Sequence, residues 1–277
     1  MLYVCATPIG NLEDVTLRLL RVLQEVDVVC AEDTRHTRKL LSAHGIRAKL
    51  VSLHEHNEFE RAPSIVAAMK SGSTVALVSD AGMPGVSDPG HLLIEQTIAA
   101  DLPLTVLPGA NAALTALLVS GLPSERFFFQ GFLPKKKKAR REILEELRSL
   151  RAVLIFYEAP HRLVLLLEEL RESLGDRYCV VARELTKKFE TVYRGVLSEQ
   201  IDWHRGEERG EYVILTAGAS DAEDIPAVMD VRELVVAEIV GGLSKKEAVK
   251  AVAKRLSVPR NQVYKETLDL EPRSSCE

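Results

Sequence analysis

The chain has 277 residues, 46% of them hydrophobic and 27% charged, with a formal net charge of −4. That profile fits a soluble globular protein of roughly two domains and excludes a disordered or fibrous one. The mildly acidic balance excludes a surface that is basic throughout, and no run approaches the roughly 18 to 20 apolar residues of a membrane span.

Strand-like and helix-like patterns alternate through the first 120 residues. Apolar runs at 2–6, 28–31, 50–53, 74–78 and 104–107 predict strands, followed by helical patterns at 14–26, 37–44, 60–70, 91–100 and 112–120. Five βα units in succession predict a parallel sheet in a first domain over 1–120. Asn11 or Asp14 is placed to open the first helix, and Gly45 and Gly72 stand where helix ends favour a left-handed residue. A turn-rich stretch at 120–124 marks the boundary to a second domain over 124–218. Strands at 126–132, 152–157, 178–183, 190–197 and 212–216, with helices at 135–150 and 161–174, predict a mixed sheet there. An acidic linker at 219–226 leads to a helical tail over 228–270, with helices at 231–241, 244–257 and 259–270 in a helix-turn-helix-like layout. Ser244 and Glu247 have capping-box spacing.

Three glycine-proline loops follow predicted strands: 7–11, 79–90 and 108–112. In open parallel sheets the carboxyl edge of the strands binds the ligand, and loops without Cβ atoms let backbone groups close on a small molecule. No G-x-G-x-x-G or G-x-x-x-x-G-K-[ST] occurs, which argues against dinucleotide or nucleoside triphosphate binding. Cys5, Cys30 and Cys179 sit in apolar runs and, with Cys276, form no C-x-x-C pair, so reduced thiols are expected. With no basic-then-apolar leader, the expectation is a cytoplasmic protein without membrane attachment.

Polar clusters gather at the same strand ends. Glu32, Asp33 and Arg35 follow the second strand, and His54 and His56 the third. H-x-H beside carboxylates has no third ligand at metal-site spacing, so no metal is expected and these side chains read as a hydrogen-bonding surface for substrate. Residues 135–141 pack six cations into seven positions, among them Lys135, Lys136, Lys137 and Arg140. Cations at a helix start oppose its dipole, which points to a polyanionic partner. No serine–histidine–aspartate order and no exposed thiol supports covalent catalysis; a positioned transfer between two bound molecules fits better. No aromatic-rich basic groove is apparent, so a folded polyanionic surface is expected as target in preference to loose single strands.

The motifs TPIGNL at 7–12, AEDTRHT at 31–37, SDAGMPGVSDPG at 79–90, PGANA at 108–112, EAPHR at 158–162 and RELTK at 183–187, in this order, resemble the tetrapyrrole-methylase superfamily of S-adenosylmethionine enzymes, and more narrowly its ribosomal RNA branch. The resemblance covers residues 2–218. It implies a two-domain α/β fold of the class III methyltransferase type, a cofactor folded in the cleft and a homodimer. It also implies methylation of the ribose 2′-hydroxyl of a cytidine in the decoding region of bacterial 16S ribosomal RNA, within the small ribosomal subunit. By motif position, Pro8, Ile9, Gly10, Asp80, Gly82, Met83, Ala110 and Asn111 would contact the cofactor, with Tyr157, Ala159 and Leu185 closing the pocket. Glu32, His161 and Lys187 are the candidates for handling the hydroxyl proton, on loop position alone. The charged stretch at 206–211 departs from the family pattern. A tetrapyrrole methyltransferase sharing the cofactor loops, and a ribosome-binding factor without catalysis, stay open as alternatives; the basic run weighs against the first and the intact loops against the second.

Overall fold

The computed structural model describes residues 1–206, 209–219, 235–236, 238–239, 243–255, 263–264 and 267. Residues 1–219 form one compact unit and 220–277 another.

In the first sheet, β1 (Leu2–Cys5), β2 (Val28–Ala31), β3 (Leu50–Ser52), β4 (Val75–Val78) and β5 (Leu104–Leu107) run in the order β3-β2-β4-β1-β5, and every pairing is parallel. Side chains alternate between faces, as the pleat requires. Cys5, Val29, Ala31, Ala76 and Val78 pack with α1 (Leu17–Glu25) and α2 (Thr34–Ala43). Val4, Cys30, Val75 and Leu77 pack with α3 (Glu58–Lys70) and α4 (His91–Ala99). Both faces are covered, which is why the strands are apolar throughout.

The second sheet is mixed. Its strands β6 (Phe127–Phe132), β7 (Val153–Glu158), β8 (Tyr178–Arg183), β9 (Thr191–Val196) and β10 (Tyr212–Thr216) run in the order β6-β7-β10-β8-β9. β6 and β7 are parallel and the other pairs antiparallel. One face meets α6 (Lys137–Leu147), α7 (Leu163–Leu174) and α8 (Leu197–His204) through Leu144, Leu166, Leu170 and Ile201. The other meets α5 (Ala112–Ser120), whose Ala113, Ala116 and Leu117 pack on Ile155, Val180 and Leu215.

That last contact alters the expected division of the chain. By sequence α5 belongs to the first domain, yet it covers the second sheet, so packing does not divide at 120. Other differences are local. The helix expected from 14 begins at Leu17, because Thr16 accepts the Leu19 N–H at 3.1 Å and sets the cap; Asn11 caps only a short 3-10 turn at Leu12–Asp14. The eight-residue α8 is absent from the sequence reading.

Cys5, Cys30 and Cys179 lie fully buried in the strands; burial pushes the Cys5 and Cys30 thiols up to about 12 and raises Cys179 as well. In the second unit, α9 (Lys245–Arg255) starts with the expected box, Ser244 N–H donating to Glu247 Oε2 at 3.1 Å and Glu247 N–H to Ser244 Oγ at 3.4 Å. Its Ala248, Val249 and Val252 pack with Val235 and Val263. The helices expected at 231–241 and 259–270, and with them the helix-turn-helix layout, fall largely outside the described residues. Among the described residues no helix is long and apolar enough to cross a membrane.

Candidate active site

The loops after β1 and β4 are pinned together. Thr7 and Gly82 exchange backbone hydrogen bonds of 2.9 and 3.0 Å, and the Thr7 hydroxyl donates to the Ser79 carbonyl at 3.2 Å. Gly82 holds this bridge with φ of 73°, a conformation that L side chains rarely tolerate. Asn111 ends the β5 loop by capping α5, its Oδ1 accepting the Leu114 N–H at 2.9 Å.

Asp80 organises the next layer. Its Oδ1 accepts the Asp33 N–H at 3.0 Å and its Oδ2 lies 3.1 Å from His36 Nδ1, which ties the β4 loop to the start of α2. The Asp80 N–H in turn donates to Glu32 Oε2 at 3.4 Å.

These loops face β6, β7 and the approach to β10 across a cavity of about 430 Å³. From the first sheet it is lined by Ile9, Glu32, Asp80, Gly82, Met83, Asp88 and Asn111, and from the second by Phe132, Tyr157, Glu158, Ala159, Leu185 and residues 210–213. A cavity of this size accepts a ligand as large as a nucleoside derivative.

Its electrostatics are acidic at one corner. Burial raises the Glu32 carboxyl above its ordinary value, and the Asp88 and Asp80 charges add to the effect. Burial raises Asp88 too, against a hydrogen bond from Ser79. Glu158, 3% exposed, is raised by burial although it accepts the Ala159 N–H at 2.8 Å and pairs with Arg162 at 3.2 Å. Tyr157 is pushed up to about 12 by burial. Such displaced groups converging on a cleft are characteristic of functional sites. Among the described residues no group of three or more His, Cys, Asp or Glu is arranged to hold a metal ion.

Of the expected cofactor residues, Ile9, Asp80, Gly82, Met83, Asn111, Tyr157, Ala159 and Leu185 line the cavity, and Pro8, Gly10 and Ala110 are not among its lining residues. Gly10 has a different part: a Cβ there would lie 2.8 Å from Thr186 Oγ1 and 3.1 Å from the Leu185 carbonyl, so its bareness lets the β1 loop approach the loop after β8.

Glu32 alone of the three proton-handling candidates reaches the cavity. His161 is exposed in a 3-10 turn and is not among the lining residues. Lys187 is unsuited to accept a proton. It is paired with Glu184 at 2.9 Å and Glu211 at 3.0 Å; burial alone would lower its pKa, but these two partners raise it on balance.

The expected substrate residues divide similarly. Arg140 is buried, forking Glu169 with two bonds of 2.7 Å and donating to the Lys135 carbonyl at 2.6 Å. It is a structural ion and not an RNA contact. His54 and His56 lie beyond the end of β3, in the turn before α3, with rings 6.0 Å apart edge to face; His54 Nε2 is 3.1 Å from Asn57 Nδ2. Asp33 caps α2 and is forked by Arg35, whose hydrogen bonds hold its carboxyl far below the usual range. Lys135, Lys136 and Lys137 are exposed and, among the described residues, have no ion-pair partner.

Sequence reasoning missed Phe132, Asp88, Glu158 and 210–213. Asp88 and Glu158 stood inside quoted motifs, and a carboxylate closing the apolar run 153–157 was the available signal for Glu158. Residues 210–213 carried no such signal.

The model of the tetrapyrrole (corrin/porphyrin) methylases matches residues 1–201. Proteins named ribosomal RNA small subunit methyltransferase I are 45% identical in Halalkalibacterium halodurans, over 95% of this chain and 93% of the relative, and 44% identical in Bacillus subtilis, over 95% and 92%. The Escherichia coli O157:H7 protein of that name is also 44% identical, over 97% and 94%. Among solved structures, uroporphyrin-III C-methyltransferase from Thermus thermophilus superposes with a TM-score of 0.57 at 22% identity, covering 77% of this chain and 93% of that one. A diphthine synthase does so with a TM-score of 0.58 at 18% identity, covering 78% and 89%. These two share the fold. The chain therefore belongs to the tetrapyrrole methylases, a family of S-adenosylmethionine-dependent methyltransferases, and within it to the ribosomal RNA small subunit methyltransferase I group.

Proposed function

We propose that the protein methylates the ribose 2′-hydroxyl of a cytidine in the decoding region of bacterial 16S ribosomal RNA, presented by the small ribosomal subunit, and that it works as a cytoplasmic homodimer. The observation that carries this reading is the full-length match to proteins named for small-subunit ribosomal RNA methylation, 44–45% identical over 92–94% of their length.

The cavity suits the methyl donor. Its carboxylates Glu32, Asp80 and Asp88 complement a cationic sulfonium, its apolar Ile9, Met83 and Leu185 complement an adenosyl group, and the bare Gly82 leaves backbone groups open to the ligand. Bound there, S-adenosylmethionine supplies a methyl group already activated by its positive sulfur. The chain's own task is in-line placement of the hydroxyl and removal of its proton. Glu32, raised in pKa and facing the cavity, is the residue proposed to take that proton, with Asp88 beside it.

Glu32→Gln is expected to lower turnover at saturating cofactor by ~100-fold or more, the usual range for a lost general base. Because the base acts ionised and its pKa is raised, wild-type turnover should fall as pH drops through a region above the ordinary glutamate value of 4.5. The variant should lack that acid limb, whereas His161→Ala should keep full turnover. A Glu32→Gln protein with wild-type turnover removes Glu32 from the mechanism.

The function itself is tested by transfer of labelled methyl from S-adenosylmethionine to small subunits lacking ribose methylation, compared with free 16S RNA. The expected result is label on one ribose of one cytidine. Cofactor binding with no transfer to either RNA would overturn the reading.

A further inference from the structure

Phe132 ends β6, the edge strand of the second sheet, and it is both a lining residue of the cavity and 55% exposed. Its ring is held by an edge-to-face contact with Tyr157, centroids 5.6 Å apart at 67°. Phe129 braces Tyr157 in the same way at 5.0 Å, so the platform is fixed while much of the Phe132 surface faces water. Phe127 and Phe128 of the same strand are also exposed, at 43% and 41%. Phe127 and Phe132 pair with Val153 and Tyr157 and so share the face that α5 covers, whereas Phe128, opposite Leu154, is on the other face.

Positive charge adjoins this strand. Lys135 follows Phe132 by three residues, which span at most about 10 Å. Lys135, Lys136, Lys137 and Lys138 are all exposed at the start of α6, and among the described residues their one ion pair is a long contact of Lys138 to Glu142 at 3.9 Å. α6 begins without a side-chain cap, and four cations at this end oppose the helix dipole. Aromatic faces for bases beside cations for phosphates are the two requirements of single-stranded nucleic-acid binding.

We infer that Phe132 is a stacking platform for an unstacked pyrimidine at the mouth of the cavity, with Lys135–Lys138 holding the phosphates of the same strand. The inference rests on the RNA reading above and sharpens it: the target nucleotide is taken out of its stack and seated against Phe132, not methylated on the intact surface of a folded subunit. Flat contact with a base is tolerant of sequence and fixes where the ribose lies, as enzymes that act on extruded nucleotides require.

The test uses the full chain and a single-stranded cytidine hexanucleotide carrying one fluorescent pyrrolocytidine. Wild-type protein is expected to quench the probe on binding. Phe132→Leu, which keeps apolar bulk and removes the aromatic face, should weaken binding by about tenfold and abolish the quench. Phe132→Trp should restore both. Because Phe132 also lines the cavity, cofactor affinity, titrated separately, is expected to fall in Phe132→Leu as well, but by a smaller factor than hexanucleotide affinity. Three outcomes would overturn the proposal: unchanged hexanucleotide binding in Phe132→Leu, a loss of cofactor affinity as large as that of RNA, or a change in oligomeric state showing that a second copy covers the phenyl groups. The binding assay needs no turnover, so failure of methyl transfer to small subunits overturns the functional reading without being mistaken for failure of the platform.

Discussion

Arg140→Ala is expected to cost about 3–5 kcal/mol of folding stability, the range seen when one member of a buried ion pair is removed. Both side chains are nearly out of water, 7% exposed for Arg140 and 11% for Glu169. Alanine strands the Glu169 carboxylate on α7 without a counterion, and burial of an uncompensated charge is the expensive part of the change. It also frees the carbonyls of Pro134 and Lys135, which Arg140 holds at 3.2 and 2.6 Å, so the start of α6 loses its anchor. The double variant Arg140→Met with Glu169→Leu should be closer to wild type than either single change, because apolar side chains of similar size avoid the desolvation cost altogether. Urea denaturation of wild type, Arg140→Ala, Arg140→Met, Glu169→Leu and the double variant decides the matter. A single variant within 1 kcal/mol of wild type would contradict the assignment of Arg140 as a structural ion.

The second large effect is expected at Gly10. A Cβ there would come within 2.5 Å of Lys187 Cγ, 2.8 Å of Thr186 Oγ1 and 3.1 Å of the Leu185 carbonyl. Lys187 is poorly free to yield, being clamped by Glu184 and Glu211 at 2.9 and 3.0 Å. The loop itself is already bent, with Glu184 at φ 53° and Thr186 at φ 65°. Gly10→Val should therefore push the loop after β8 outward, at an overpacking cost of about 1–3 kcal/mol. Leu185 would move with it, and Leu185 lines the cavity. Cofactor affinity measured by calorimetry should fall by at least ~10-fold, the equivalent of about 1.4 kcal/mol, with a smaller loss for Gly10→Ala. Undiminished affinity in Gly10→Val would show that the approach of the two loops does not shape the site.

Much of this arrangement is legible in the residues. The five parallel strands announce themselves because strands covered on both faces read as continuous apolar runs, and the ligand-facing loops because each breaks such a run with glycine and proline. Arg140 was harder to read. Composition cannot separate it from Lys137, Lys138 and Arg141, yet helical spacing does: Arg140, Leu144 and Leu147 stand at i, i+4 and i+7 and share the buried face of α6. His54 and His56 follow β3 as expected but are not among the residues that line the cavity, and whether a turn carries its side chains to a site is something local pattern fixes poorly. Packing of α5 on the second sheet has no local signal, since a helix apolar around most of its circumference does not specify which sheet it will cover. The pairing of Lys187 with Glu211 links residues 24 positions apart through the β8–β10 ladder, and only the fold brings them together.

The buried cysteines give the protein an internal clock. A thiol reagent reacts with the thiolate, and at Cys5, Cys30 and Cys179 that species is suppressed by fully buried surroundings. Modification must await a transient opening of the strand that carries the thiol, so in a Cys276→Ser background its rate counts openings rather than chemistry. Two of the thiols sit in the first sheet and one in the second. Mass-resolved labelling along the chain would thus time the loosening of each sheet separately, and adding the methyl donor would show which of them it holds shut.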